Sequence, residues 1–65
     1  MPIDKETDIP LEVSEALGIE KYKDDPMTYR IAIEGTKEML KEYGKDWILK
    51  NAEYLRKDLE MVASL

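Results

Sequence analysis

The densest group of acidic side chains near a predicted turn lies just before Pro26. Asp24 and Asp25 are adjacent, and Glu20 lies four residues before Asp24. Paired carboxylates can bind magnesium or share a proton. A structural role also fits, because an Asp immediately before Pro26 is typical of a helix N-cap. We therefore expect Asp25 to cap a helix and expect no metal site here.

Other candidate catalytic groups are few. The chain of 65 residues contains no His and no Cys, which excludes thiolate and imidazole metal sites, disulfides, Cys nucleophiles and Ser–His dyads. Glu34 and Lys37 are residues that a crevice could recruit as acid or base. A helical domain of this size encloses little volume in which such a group could be shielded from water. We predict that the protein is not an enzyme and binds no cofactor.

A line of large apolar side chains suggests binding rather than catalysis. Trp47, Tyr54 and Met61 are seven residues apart, and Leu65 continues the line. Trp, Tyr and Met are enriched where proteins meet. Two further apolar residues lie on the back of the preceding predicted helix and need a separate cover. The predicted protein interface therefore consists of Trp47, Tyr54, Met61, Leu65, Met27 and Ile31.

The alternative for this line is burial inside the molecule. The first predicted helix could cover it through Val13, Leu17 and Ile19. A chain this short builds only a small core, because roughly 25 cal/mol per Å² of buried apolar surface must offset roughly 1.5 kcal/mol of ordering entropy per residue. Association with a second chain is therefore as well supported as internal burial. A two-fold homodimer would use the same surface on both subunits.

Helices must position these side chains, and the first of them is short. Residues 1–7 are polar and are predicted to be flexible, so residues 8–65 form the single domain. The first helix can begin with Thr7 or Asp8 as its cap and Pro10 in its first turn, where the missing N–H has no cost. Gly18 is expected to end it in the left-handed conformation.

Two longer helices follow. The second begins after Asp25 and runs to Tyr43, and Gly44 is expected to adopt the left-handed conformation that ends helices. Asp46 can cap the third helix, which continues close to Leu65. No segment is convincing as a strand. The sequence therefore predicts an all-α domain of three helices.

Matching apolar patterns predict how the two long helices pack. In each helix, apolar and small residues recur at alternating spacings of four and three, which places them on one stripe. Such paired stripes, joined by a short turn, predict a long antiparallel helical hairpin packed in the coiled-coil manner. The two stripes are Tyr29, Ile33, Thr36, Leu40 and Tyr43, and Ile48, Ala52, Leu55, Leu59 and Val62.

Charge and hydropathy exclude several classes of partner. Ten basic against fifteen acidic side chains leave a net charge of −5, which opposes binding to the phosphates of nucleic acid. No apolar run approaches the roughly 20 residues of a membrane-spanning helix, and the N-terminus lacks the pattern of a signal peptide. We expect no nucleic-acid or membrane partner and a cytoplasmic location.

Two functional hypotheses follow. The first is a non-enzymatic protein-interaction module: a small acidic helical accessory or regulatory protein that self-associates through its surplus apolar helix face, most simply as a dimer, and can present that face to a larger protein. The alternative is an acidic inhibitor that imitates nucleic acid and binds a basic protein surface. The carboxylates available for such mimicry are Glu12, Glu15, Glu20, Asp24 and Asp25.

Overall fold

The computed structural model describes residues 3–65, and most of this chain is helical. The broad prediction of an all-α domain is confirmed, but residues 3–65 contain four α-helices where three were predicted, together with a small two-stranded sheet. In chain order the elements are β1 (Ile3–Asp4), β2 (Ile9–Pro10), α1 (Leu11–Leu17), a 3₁₀ helix (Ile19–Tyr22), α2 (Pro26–Glu42), α3 (Lys45–Lys50) and α4 (Ala52–Ser64).

The sheet at the N-terminus is a finding that the sequence did not predict. β1 and β2 pair in antiparallel register, with Ile3 opposite Pro10 and Asp4 opposite Ile9. Asp8 closes the loop between them: its φ is 59° and its N–H donates to the Asp4 carbonyl at 2.8 Å. Two-residue strands are too short to show the alternating pattern by which strands are recognised.

The segment that was predicted to be flexible is partly ordered into this sheet. Met1 and Pro2 lie outside the described residues. Ile3 and Asp4 form β1, and Thr7 is only 2% exposed. The flexibility of residues 1–7 is a statement about motion and stays a prediction.

Helix α1 begins later than predicted. Its N-cap is Pro10, without a side-chain cap hydrogen bond, so neither Thr7 nor Asp8 has the capping role. The physical reason is that residues 9 and 10 pair with β1 and are therefore extended. The predicted end is confirmed: Gly18 has φ 64° and ψ 35°, and its N–H donates to the Glu15 carbonyl at 3.2 Å.

The turn between the long helices differs from the prediction. Gly44 has φ 89° and ψ 168°, which is a glycine conformation but not the left-handed helical one. Gly44 is also the N-cap of α3, so the predicted cap Asp46 lies in the first turn instead. The predicted single third helix is interrupted at Asn51, whose side-chain amide donates to the Trp47 carbonyl at 2.8 Å.

The core is centred on α1 and the residues that flank it. Its buried apolar residues are Ile9, Val13, Leu17, Ile19, Ala32 and Ile48. Helix α1 packs against both α3 and α4, and α2 packs against the 3₁₀ helix, α3 and α4. An ion pair of 2.8 Å between Lys45 and Glu12 ties α3 to α1. Most of the predicted seam is buried or half-buried, but Tyr43 is 55% exposed.

Candidate protein-interaction surface

The six residues of the predicted interface are all exposed in the single chain. Their exposed fractions range from 38% for Trp47 to 74% for Met27 and Tyr54, and Leu65 is fully exposed. Val13, Leu17 and Ile19 are buried in the core and leave these six residues exposed, although Leu17 lines the same groove as Ile31. Internal burial, the alternative for these side chains, is therefore wrong for this fold.

Helix α4 is the least buried of the helices. It has 13 residues and none of them is fully buried. Its inward side, Leu55, Leu59 and Val62, is only half-buried. A second row of Tyr54 and Met61 is exposed on the same helix. An amphipathic helix is stabilised mainly by burial of its apolar face. In the single chain, α4 buries less apolar surface than its sequence offers.

An apolar groove of about 200 Å³ separates α2 from α4. Gly35 lies in its wall near the middle of α2, and a Cβ placed there would meet no atom within 4 Å. The fold of the single chain therefore does not require glycine at this position. The groove is lined by Leu17, Ile31, Ala32, Gly35, Thr36, Met39, Leu55, Asp58, Leu59 and Val62.

Most of the predicted interface flanks this groove on its two outer sides. At about 100° per residue, Met27 and Ile31 share one side of α2, and Ile31 also reaches the groove. By the same geometry Tyr54, Met61 and Leu65 share one side of α4. Trp47 belongs to α3, beyond the interruption at Asn51. The predicted line is thus divided between two helices.

Trp47 packs against Tyr43, a residue that was predicted to lie on the apolar stripe of the second helix. Its indole stacks on the Tyr43 ring, with ring centroids 4.3 Å apart and planes inclined by 25°. Both rings remain partly exposed. Tyr43 was predicted on the buried seam, but it is the C-cap of α2, where the chain leaves the core. The spacing of four between the two aromatics was the available signal for this pair.

The acidic group near the start of α2 has the structural role that was predicted for it. The Thr28 hydroxyl donates to Asp25 Oδ2 at 2.7 Å, and the Thr28 N–H donates to Asp25 Oδ1 at 3.3 Å. These two hydrogen bonds favour the charged carboxylate and lower the pKa of Asp25 below its ordinary value of 3.8. Asp25 is the N-cap of α2 and Pro26 its first residue, as expected.

The carboxylates considered for nucleic-acid mimicry do not form one free surface. Glu12 pairs with Lys45, and Glu20 lies 3.9 Å from the Lys23 ammonium. Asp25 is occupied by Thr28. Mimicry of a phosphate backbone requires a continuous anionic surface, and these interactions reduce it. The inhibitor hypothesis stays an untested alternative.

The groups considered for catalysis lie on open surface. Glu34 and Lys37 border a shallow depression on α2, together with Asp8, Glu38, Leu40 and Lys41. Glu34 also lies 3.8 Å from the Arg30 guanidinium, one turn earlier. Among residues 3–65, no three acidic side chains are grouped so that they could hold a metal ion. In the same described range, no helix is long and apolar enough to cross a membrane.

Comparison with known proteins gives no match: no family model, no curated protein and no solved structure is significantly similar to this chain.

Proposed function

We propose that this chain is a non-enzymatic protein-interaction module, a small acidic accessory or regulatory protein that self-associates through its exposed apolar helix surface. The main support for the proposal is the exposure of α4, a 13-residue amphipathic helix in which no residue is fully buried. Tyr54 and Met61 on α4, and Met27 and Ile31 on α2, are exposed on either side of the groove. In this proposal α2 and the α3–α4 pair are the two arms of an antiparallel hairpin that presents the surface.

The exposed area is large enough for a specific interface. The exposed fractions of the six predicted interface residues add up to about four whole side chains, or roughly 800 Å² at about 200 Å² for each large side chain. A standard interface takes about 800 Å² from each partner. Apolar residues scattered singly over a surface need no partner, but here Ile31 lines the groove. By the rotation of about 100° per residue, Met27 shares its side of α2, and Tyr54, Met61 and Leu65 share one side of α4.

The total surface of the chain supports the same conclusion. Its accessible surface is 4856 Å², whereas a compact monomer of 7.6 kDa has roughly 4300 Å². A second copy supplies a matching apolar surface without requiring any other protein. We keep the cytoplasm as the proposed location.

Sedimentation equilibrium over a series of concentrations, from low micromolar to near-millimolar, tests self-association. We expect the average mass to rise above 7.6 kDa towards twice that value. The single Trp gives a second readout, because the partly exposed Trp47 ring should change its emission if association covers it. A chain that remains at 7.6 kDa throughout the series contradicts the proposal.

A pair of matched variants shows which surface is used. Tyr54→Ala removes an exposed aromatic ring from α4 and should weaken association while helix content is kept. Leu11→Ala removes an exposed apolar side chain from α1, away from the groove, and should leave association unchanged. An equal effect of both variants would show that association does not depend on the α2–α4 surface.

A further inference from the structure

Two exposed stripes on the outer sides of α2 and α4 have complementary sequences. On each stripe, five residues recur at spacings of four, three, four and four, which keeps them on one side of a helix. We define the acidic stripe as Met27, Ile31, Glu34, Glu38 and Glu42 on α2. We define the basic stripe as Lys50, Tyr54, Lys57, Met61 and Leu65, which begins at the end of α3 and follows α4.

The two stripes match when one is read in the opposite direction to the other. Apolar residues then meet apolar residues: Met27 lies opposite Leu65, and Ile31 opposite Met61. Charged residues meet opposite charges, because Glu34 lies opposite Lys57 and Glu42 opposite Lys50. Glu38 falls beside Tyr54 and within one helical turn of Lys57.

The charged members of the stripes are available for a partner. All five of these charged side chains belong to exposed residues. Glu34 has a surface ion pair of 3.8 Å with Arg30. Within residues 3–65 the other four, Glu38, Glu42, Lys50 and Lys57, form no ion pair.

The stripes cannot pair with each other inside one chain. The sides of α2 and α4 that face each other already meet at the groove, through Ala32 and Thr36 on α2 and Leu55 and Leu59 on α4. By the rotation of about 100° per residue, each stripe lies roughly 100° or more around its helix from those residues. Each stripe therefore points away from the direct contact between α2 and α4, although Ile31 also lines the groove.

The basic stripe crosses the interruption at Asn51, whose φ of −109° and ψ of 16° depart from α-helical values. The Asn51 N–H still donates to the Trp47 carbonyl at 3.1 Å, and the Leu55 N–H donates to the Asn51 carbonyl at 3.1 Å. These are the four-residue hydrogen bonds of an α-helix. The basic stripe is therefore continuous from Tyr54 to Leu65 on α4, and Lys50 precedes it at the end of α3.

We infer that a second copy of this chain binds with its basic stripe along the acidic stripe of the first, and that a two-fold axis repeats the same seam on the other side. The inference rests on the proposed self-association and adds its geometry. The two seams would enclose the α2–α4 grooves of both copies between four helices, as in an antiparallel four-helix bundle. Charged residues beside an apolar seam set partner choice and orientation in helical assemblies.

Charge complementarity also explains how two copies with a charge of −5 each can associate. The net charge opposes association at long range, but salt screens that repulsion beyond about 8–10 Å. At the seams each copy places Glu34, Glu38 and Glu42 against Lys50 and Lys57. The local pairing is therefore attractive although the whole molecules repel.

A charge-swap experiment tests the register of the seam. Glu34→Lys and Lys57→Glu each place like charges opposite each other on both seams. We expect the dimer dissociation constant, measured by sedimentation in low salt, to rise about tenfold in each single variant. The double variant Glu34→Lys/Lys57→Glu restores opposite charges and should return to within about threefold of the wild-type value.

Control variants separate pairing from net charge. Glu15→Lys/Lys57→Glu has the same net charge as the wild type, but Glu15 is on α1, away from both stripes, so this variant should remain as weak as Lys57→Glu alone. Lys37→Glu changes the net charge by the same amount as Lys57→Glu, but Lys37 lies on α2 outside the acidic stripe. It should therefore raise the dissociation constant less than Lys57→Glu does. Circular dichroism checks that helix content is retained in every variant.

The possible outcomes are distinct. The seam is supported if the dissociation constant returns towards the wild-type value in Glu34→Lys/Lys57→Glu but not in Glu15→Lys/Lys57→Glu. A wild-type dimer that the swap does not rescue, or single variants without effect, overturns the seam but leaves self-association standing. Growth beyond about 15 kDa, twice the chain mass, would indicate an open polymer and overturn the two-fold arrangement. A wild-type chain that stays monomeric overturns both proposals.

Discussion

Replacement of Met61 by alanine removes one exposed side chain from the proposed self-association surface. Met61 is 69% exposed in the single chain. Covering a whole methionine side chain contributes about 1.5–3 kcal/mol, so covering the exposed part contributes roughly 1–2 kcal/mol. A two-fold dimer contains two copies of Met61, which doubles the loss to roughly 2–4 kcal/mol. The dissociation constant should then rise about 30- to 1000-fold, nearer the lower figure because alanine retains its methyl group.

The assay is sedimentation equilibrium on wild type and variant, with helix content followed by circular dichroism. Alanine is the best helix former, so Met61→Ala should leave α4 intact, and a weaker dimer would not reflect a melted helix. Arg56→Ala is a matched control, since Arg56 is exposed on another side of α4 and forms no ion pair within residues 3–65. A dissociation constant that changes less than about threefold in Met61→Ala would refute burial of this side chain by a partner.

Two further predictions concern the fold that carries the surface. Because the folded-state pKa of Asp25 is lowered by Thr28, the charged carboxylate stabilises the fold above pH 3.8, and this contribution is lost as the pH falls through the lowered pKa. Thermal melts of Asp25→Ala should therefore show a lower Tm than wild type at neutral pH and a smaller difference in strong acid; a difference independent of pH would contradict this role. Gly44→Ala should cost about 1–3 kcal/mol of unfolding free energy in urea, because φ 89° with ψ 168° is strained for any side chain. Gly35→Ala is its control: it lies in a helix with open space around the added Cβ and should stabilise the single chain by about 0.5–1 kcal/mol, so equal effects at both glycines would disprove the reasoning.

Local signals in the sequence were sufficient for the start of α2 and the end of α1. Asp25 and Pro26 mark the start of α2, because a carboxylate can accept the free N–H groups of the first turn and proline has none to offer there. Gly18 marks the end of α1, since only glycine adopts the left-handed conformation without cost. These signals depend on a few neighbouring residues, and the structure confirms them.

Elements that depend on distant residues were not predictable in the same way. The strand pair requires Ile3 and Asp4 to meet Ile9 and Pro10, and two residues are too few to form a pattern. That pairing in turn moved the start of α1 away from Thr7 and Asp8. At the interruption, the Asn51 side-chain amide and the Asn51 backbone N–H both donate to the Trp47 carbonyl, an arrangement that asparagine permits but does not require.

The sequence by itself determined which side chains are apolar and on which side of a helix each one lies, because that follows from composition and a fixed rotation per residue. All six residues of the predicted interface are exposed, but so are Ile3, Leu11 and Tyr43, which were not predicted to belong to it. Only the tertiary structure decided that α1 packs elsewhere and leaves the six predicted residues uncovered, and that α2 and α4 place their acidic and basic stripes away from the direct contact between the two helices. The physical reason is that exposure depends on how helices are arranged in space, which a helical period cannot specify.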